Sequence, residues 1–294
     1  MKRGAWLCIA AGLLVVFFSR TRPDVLPTAA TSVPEETHPP APISCASADA
    51  SLFAKNMATT AVYPHESIAA ATVPHYAPAQ DMLVKELNTV RQGGEEPQTV
   101  VIVAPNHTGL GAAVQLWGGG FTCGGNALSG DGELLSRLSS ALDGKADTSG
   151  AQTAQDHSVT SIIPYVSEYW PHARVVTILL SRGASSRQLS VLAQCLHAYT
   201  KEQAVLLLAS VDFSHYQTPE IAQKNDRETI NAIESGAAET VLSYGGEHVD
   251  SPQTMTVLMK FCTLQDKALR LRDHRLEVYT ENGQKKAGSF MVFF

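Results

Sequence analysis

The chain has 294 residues, of which 44% are hydrophobic and 17% charged, and its formal net charge is −6. That composition excludes a disordered chain, which is poorer in apolar residues and richer in charge. The acidic balance argues against a nucleic-acid module, whose binding face is basic.

Lys2 and Arg3 precede an apolar run from Gly4 to Phe18, and Arg20 and Arg22 follow it. A charged start followed by an apolar segment is the layout of an export signal. The run is shorter than the ~20 residues that a full membrane span needs. Residues 1–22 are expected to be a signal or membrane anchor that exports the rest of the chain, with membrane contact limited to this segment. Residues 23–58 are rich in Pro, Ala, Thr and Ser, with Pro23, Pro27, Pro34, Pro39, Pro40 and Pro42 in the first twenty and no apolar period. They read as a flexible linker.

The cysteines are Cys8, Cys45, Cys123, Cys195 and Cys262. Their number is odd and no CxxC pair occurs, so neither a disulfide framework nor a zinc finger is expected. Cys195 and Cys262 fall within apolar helical patterns and read as core thiols.

From about residue 59 onward, short apolar runs alternate with amphipathic segments. Strands are predicted at 68–73, 99–104, 174–180, 204–210 and 289–294. Helices are predicted at 79–91, 133–142, 186–201, 219–234 and 252–269. Pro219 and Pro252 suit a first helical position, and Ser185 or Ser186 can cap the helix that follows. Continuously apolar strands between helices indicate a largely parallel sheet covered on both faces. The expectation is a single three-layer α/β/α domain spanning 59–294. Gly118–Gly120 and Gly124-Gly125 lack the strand-to-helix setting of a phosphate cradle, so a flexible rim loop is expected there.

Three apolar runs end in polar residues that a core does not need. AAATVPH ends in His75, VVIVAPNH ends in His107, and LLLASVDFSH ends in Asp212 and His215. Open α/β sheets bind ligands beyond the carboxyl ends of their strands, which is where these residues fall. Imidazole binds Fe, Zn, Cu and Ni, and a neighbouring carboxylate can ligate or orient. Asp212 and His215, three apart, can reach one cavity as a carboxylate-oriented base or as ligands. His38, His172, His197 and His274 have no such context and read as structural or surface residues, and His65 as a loop residue.

The motifs VPHYAP, APNHTG, QDHSVTSIIPY, SVDFSHY and AGSFMVFF, in that order, resemble the Memo family, whose microbial members are called AmmeMemoRadiSam system protein B. The resemblance spans about residues 60–294. It implies a fold similar to class III extradiol dioxygenases of the LigB type, which hold non-haem Fe(II). It assigns His75 and His107 to the metal site, Asp212 and His215 to the pocket, and His157 to the motif that the family writes EHS. In that motif Asp156 and Thr160 stand where the family has Glu. The third ligand of the family is a Cys four residues before a Pro, and His248, four before Pro252, takes that place. A site of His75, His107 and His248 disfavours Cu(I) and suits Fe(II), with Zn or Cu as alternatives.

The function expected is that of a metal-binding protein with a redox or dioxygenase-like activity, in which Asp212, His215 and His157 handle protons. The alternatives are a non-catalytic pocket for a peptide or small molecule, or a zinc-dependent hydrolase.

Overall fold

The computed structural model describes residues 41–58 and 68–294. The expected anchor at 1–22, His38 and His65 lie outside them. Among the described residues, no helix is long and apolar enough to cross a membrane.

In chain order the elements are β1 (Ile43–Cys45), α1 (Ala50–Met57), β2 (Ala70–Val73), α2 (Gln80–Gly93), β3 (Thr99–Pro105), β4 (Val114–Trp117), β5 (Phe121–Cys123), β6 (Asn126–Leu128), α3 (Gly132–Ala141), α4 (His157–Thr160) and α5 (Ile163–Tyr169). There follow β7 (Arg174–Leu180), α6 (Ser186–Tyr199), β8 (Val205–Ser210), β9 (His215–Gln217), α7 (Pro219–Glu234), α8 (Ala238–Leu242), α9 (Pro252–Leu264), β10 (Leu271–Glu281) and β11 (Gln284–Phe293).

The central sheet has the order β2-β8-β3-β7-β4. The first four strands are parallel and β4 runs antiparallel to β7. Successive residues of a strand point to opposite faces. Val101, Val103, Val176, Ile178, Leu207 and Ala209 face Leu138 of α3, Leu192 of α6 and Leu258 of α9. Val100, Ile102, Val175, Leu206 and Leu208 face Leu87 of α2 and Val166 of α5. Both faces are therefore covered, which is why β3, β7 and β8 are apolar throughout rather than alternating. The fold is the expected three-layer α/β arrangement. Ser185 caps α6 in a reciprocal capping box with Gln188, and Pro219 and Pro252 open α7 and α9.

Two smaller sheets depart from the expectation. β10 and β11 form a long antiparallel hairpin, and β11 also pairs with β9. The hairpin turns at Asn282 (φ 49°) and Gly283 (φ 76°), the left-handed pair that a tight hairpin needs.

The other small sheet, β1-β5-β6, corrects the reading of 23–58 as linker throughout. The described residues 41–58 belong to the same compact unit as the rest of the domain. β1 runs parallel to β5, and a disulfide joins Cys45 to Cys123, contrary to the expectation from the cysteine count. α1 is capped by the Asp49 carboxylate, which accepts from the Ser51 and Leu52 amides. Its Phe53 ring lies 4.8 Å from that of Tyr169. A polar, Ala- and Ser-rich sequence hid this strap, because its order comes from long-range partners rather than from its own periodicity. Cys262 is a buried core thiol as expected, and Cys195 is half-buried.

The glycine-rich stretch before Cys123 is not a loose rim. The backbone crosses itself there so closely that a Cβ on Gly130 would meet the Gly118 carbonyl oxygen at 1.8 Å. Glycine is needed for that approach.

Candidate metal centre

β2, β8 and β3 are neighbours in the sheet, so their carboxyl ends lie side by side. His75 follows β2, Asp212 follows β8 and His107 follows β3. The register pairs Val73 with Ser210 and Val103 with Ala209, which levels the three ends. They open into a cavity of about 320 Å³ that is also lined by His157, His215 and Asp250.

Each imidazole is held by its Nδ1. Ser210 Oγ donates to the Ser158 carbonyl at 2.7 Å, so it is free to accept from His75 Nδ1 at 3.0 Å. His107 Nδ1 donates to Asp156 Oδ1 at 2.8 Å. In the neutral rings both protons then sit on Nδ1, and both Nε2 atoms present lone pairs. His215 Nδ1 donates to the Phe213 carbonyl at 2.8 Å, leaving its Nε2 unprotonated as well.

Asp156 has a double task. Its carboxylate caps α4 by accepting from the Ser158 amide, and it holds both the backbone N–H and the ring of His107. Burial pushes its pKa up, but the hydrogen bonds from His107 and Ser158 prevail and hold it down at about 2.

Asp250 enters the same cavity. Its Oδ2 lies 3.2 Å from His75 Nε2 and 3.8 Å from His107 Nε2. Both carboxylate oxygens are buried and accept no hydrogen bond. The residue is fixed by its own amide, which donates to the Asp212 carbonyl at 3.0 Å, and by Ser251, which caps α9.

His248 is not brought to this centre, which corrects the expected ligand set. Its amide closes a turn onto Gly245, and Val249 bridges to Phe213, so the chain reaches the cavity only at Asp250. The His248 ring stacks on Tyr244 at 4.2 Å, and its Nε2 lies 3.1 Å from Glu228. Of the residues just before Pro252, Asp250 and not His248 lines the cavity.

Two groups of donor atoms, each within 4.8 Å of one another, share His75: one with His107 and His157, the other with Asp212 and Asp250. Of the expected residues, the cavity therefore gathers His75, His107, His157, Asp212 and His215. His157 stacks on His107 at 4.2 Å between ring centres. Burial, and then the charge of His107 and His75, push its pKa down. Burial pulls His107 down too, but Asp156 and Asp250 outweigh it and raise it to about 9. His75 is likewise raised, burial being overcome by Asp212 and Asp250. The Asp212 carboxyl is pushed up by burial and by Asp250, against the pull of His75. Asp250 is held well below the usual carboxylate range, the two imidazoles prevailing over its burial.

Buried oxygens without donors, facing oriented imidazole nitrogens, form a donor set suited to a cation. His172, His197 and His274 lie outside the cavity, and His274 pairs with Asp226 at 3.1 Å. Sequence reasoning missed Asp250 as a ligand candidate, and read Asp156 only as a departure from a motif. The signal for Asp250 was its place just before a Ser-Pro helix start, where a backbone-fixed residue projects beyond the sheet.

Comparison with known proteins agrees with the motifs. A Memo-like protein family model matches residues 49–287. A MEMO1 family protein of Methanopyrus kandleri is 31% identical over 157 residues, 50% of this chain and 54% of that one. One from Pyrobaculum arsenaticum is 30% identical over 145 residues, 48% of this chain and 50% of that one. The chain thus spans about half the length of these curated relatives. Among solved structures, an uncharacterised protein from Escherichia coli K12 shares 14% identity with a TM-score of 0.49, covering 76% of this chain and 98% of that one. With four-fifths of its length matched by the family model, the chain belongs to the Memo-like family.

Proposed function

We propose that this chain is a metalloprotein in which His75, His107 and Asp250 hold one divalent ion, Fe(II) for preference, and that it carries out a redox reaction of the dioxygenase kind. The observation that carries this reading is the buried Asp250 carboxylate, whose Oδ2 faces the Nε2 atoms of two imidazoles. Two histidines and a carboxylate with open positions are the donor pattern of non-haem Fe(II) oxygenases. Among the described residues that line the cavity there is no cysteine, the soft donor that favours Cu(I). When bound, the ion supplies a Lewis acid and, if it is iron, a redox couple for dioxygen.

The chain's own residues supply the proton handling. His215, whose Nδ1 is held by the Phe213 carbonyl so that the neutral ring carries its lone pair on Nε2, serves as base. His157, whose pKa burial pushes down, stacks on His107 and relays the proton outward. Asp212, its carboxyl pushed up by burial, orients the His75 amide through Oδ1.

The Cys45–Cys123 bond supports export, since disulfides persist in oxidising compartments. It agrees with the charged and apolar start of the sequence.

Competitive loading of the full chain with Fe(II), Zn(II) and Cu(I) under argon tests the assignment. One Fe or Zn per chain, with Cu(I) the weakest competitor, is the expected result. Preferential retention of Cu(I), or no stoichiometric metal, contradicts it. Retention of Zn(II) over Fe(II) favours the hydrolase reading that uses the same residues.

A further inference from the structure

From the same cavity we infer a ligand class, resting on the reading that this is the functional site: a flat, conjugated ring carrying one carboxylate, bound by Arg182 at the charge and by an aromatic wall at the ring. Three independent features lead to it.

The first is Arg182. Among the described residues it is the one Lys or Arg that lines the cavity. Among the described residues, no carboxylate or other side chain lies in ion-pair or hydrogen-bond reach of its guanidinium. That group lies across Gly246, on the loop that leads to Asp250. A Cβ there would stand 3.4 Å from Arg182 Nη2. A guanidinium without a partner among the described residues offers a planar fork that matches a carboxylate.

The second is the opposite wall. Tyr76 and Phe290 stack at 5.8 Å with their planes 10° apart, and Tyr279 of β10 and Tyr216 of β9 stand beside them. Tyr76 is 46% exposed and Tyr216 58%. Folding gains little from leaving large aromatic rings in water at a cavity mouth, whereas a ligand ring covers them.

The third is the backbone of Tyr216, whose φ is +60°. Bulky side chains rarely adopt that region, and where they do it is enforced by the surroundings, often at functional sites. Here it aims the ring over the cavity and edge-on to His215, 4.9 Å between centres.

The charge count selects a monoanion. One guanidinium neutralises one carboxylate, while a phosphate carries ~1.5 to 2 negative charges and would leave the excess beside the buried Asp250 carboxylate in the same cavity. Calorimetric titration of the full chain with benzoate, cyclohexanecarboxylate, benzamide and phenyl phosphate tests the assignment, with metal content measured on the same samples. Benzoate is expected to bind about tenfold or more tightly than benzamide, which lacks the charge, and than cyclohexanecarboxylate, which lacks the flat ring. Arg182→Gln is expected to bring benzoate down to the benzamide level. Tyr216→Gly removes the ring and frees the backbone, so benzoate affinity falls while the melting temperature holds or rises. A merely structural Tyr216 would show the reverse. Benzoate binding equal to that of both analogues, or unchanged in Arg182→Gln, overturns the inference, and so does tighter binding of phenyl phosphate. Metal-bearing protein blind to benzoate refutes this inference alone. Metal-free protein with Arg182-dependent benzoate binding supports it while refuting the metal assignment.

Discussion

Replacement of Asp156 by Asn probes the link between helix capping and the metal site. The side chain keeps its shape and loses its charge. In the native arrangement Oδ1 accepts from the His107 ring, the Ser158 amide and the Ser158 hydroxyl, while Oδ2 accepts from the His107 amide. An Asn can place its oxygen on only one of these sides. The better orientation keeps the three donors at Oδ1 and turns the NH₂ toward the His107 N–H, stranding one buried donor. That alone costs roughly 1–3 kcal/mol. The charge assistance lost from the remaining bonds, which are about twice as strong with an ionised acceptor, adds to it. A destabilisation of about 2–4 kcal/mol is expected, read from urea unfolding of the metal-free full chain. The ring of His107 also loses the anion that orients it, and loss of such an outer partner weakens metal binding roughly 10–100-fold. Metal titration against a chelator of known affinity measures that. An Asn variant with native stability and metal affinity within twofold of the parent refutes the reasoning.

Three further outcomes follow from the same structure. Cys45→Ser opens a covalent loop of 78 residues; the chain-entropy model puts the loss at about 4.5 kcal/mol, seen as a lower urea midpoint that dithiothreitol reproduces in the parent, and equal midpoints in both would count against a structural disulfide. The His107 pKa is raised from 6.5 to about 9, so its protonated form contributes stability that is fully present below pH 6.5 and is lost as pH rises through about 9; the chelated protein should weaken across that window, and metal binding, which displaces the proton, should tighten across it, whereas a flat profile would contradict the Asp156 and Asp250 contacts. Gly130→Ala places a Cβ at 1.8 Å from the Gly118 carbonyl oxygen, so the variant should be insoluble or lose its cooperative unfolding transition, and a native-like melting curve would show that the crossing can relax.

Much of the architecture was readable from residues alone. β7 and α7 begin and end where apolar runs and Pro219 place them, because fully buried strands and capped helices carry strong local signals. Elements whose order comes from distant partners were not readable. β1 is three residues held by a disulfide and by β5, and α1 is a polar helix anchored at Asp49 and Phe53. The Asn282-Gly283 turn did carry a local hairpin signal, flanked by alternating residues, that went unread. At the site, strand ends identified His75, His107 and Asp212, since a sheet edge converts sequence position directly into place. Asp250 and Arg182 sit on loops, where place depends on backbone contacts such as Phe213–Val249 that no periodicity encodes. His248 shows the converse: counting residues back from a proline cannot tell which side of a turn a side chain takes.

The most direct test of the account is the metal content of the full chain beside three variants, by elemental analysis after anaerobic purification and loading. The parent should carry one ion per chain. His75→Ala and Asp250→Ala should lose it, while His248→Ala, which removes contacts to Glu228, Glu247 and Tyr244, should keep it. Loss of the ion in His248→Ala with retention in Asp250→Ala would contradict the assignment of Asp250.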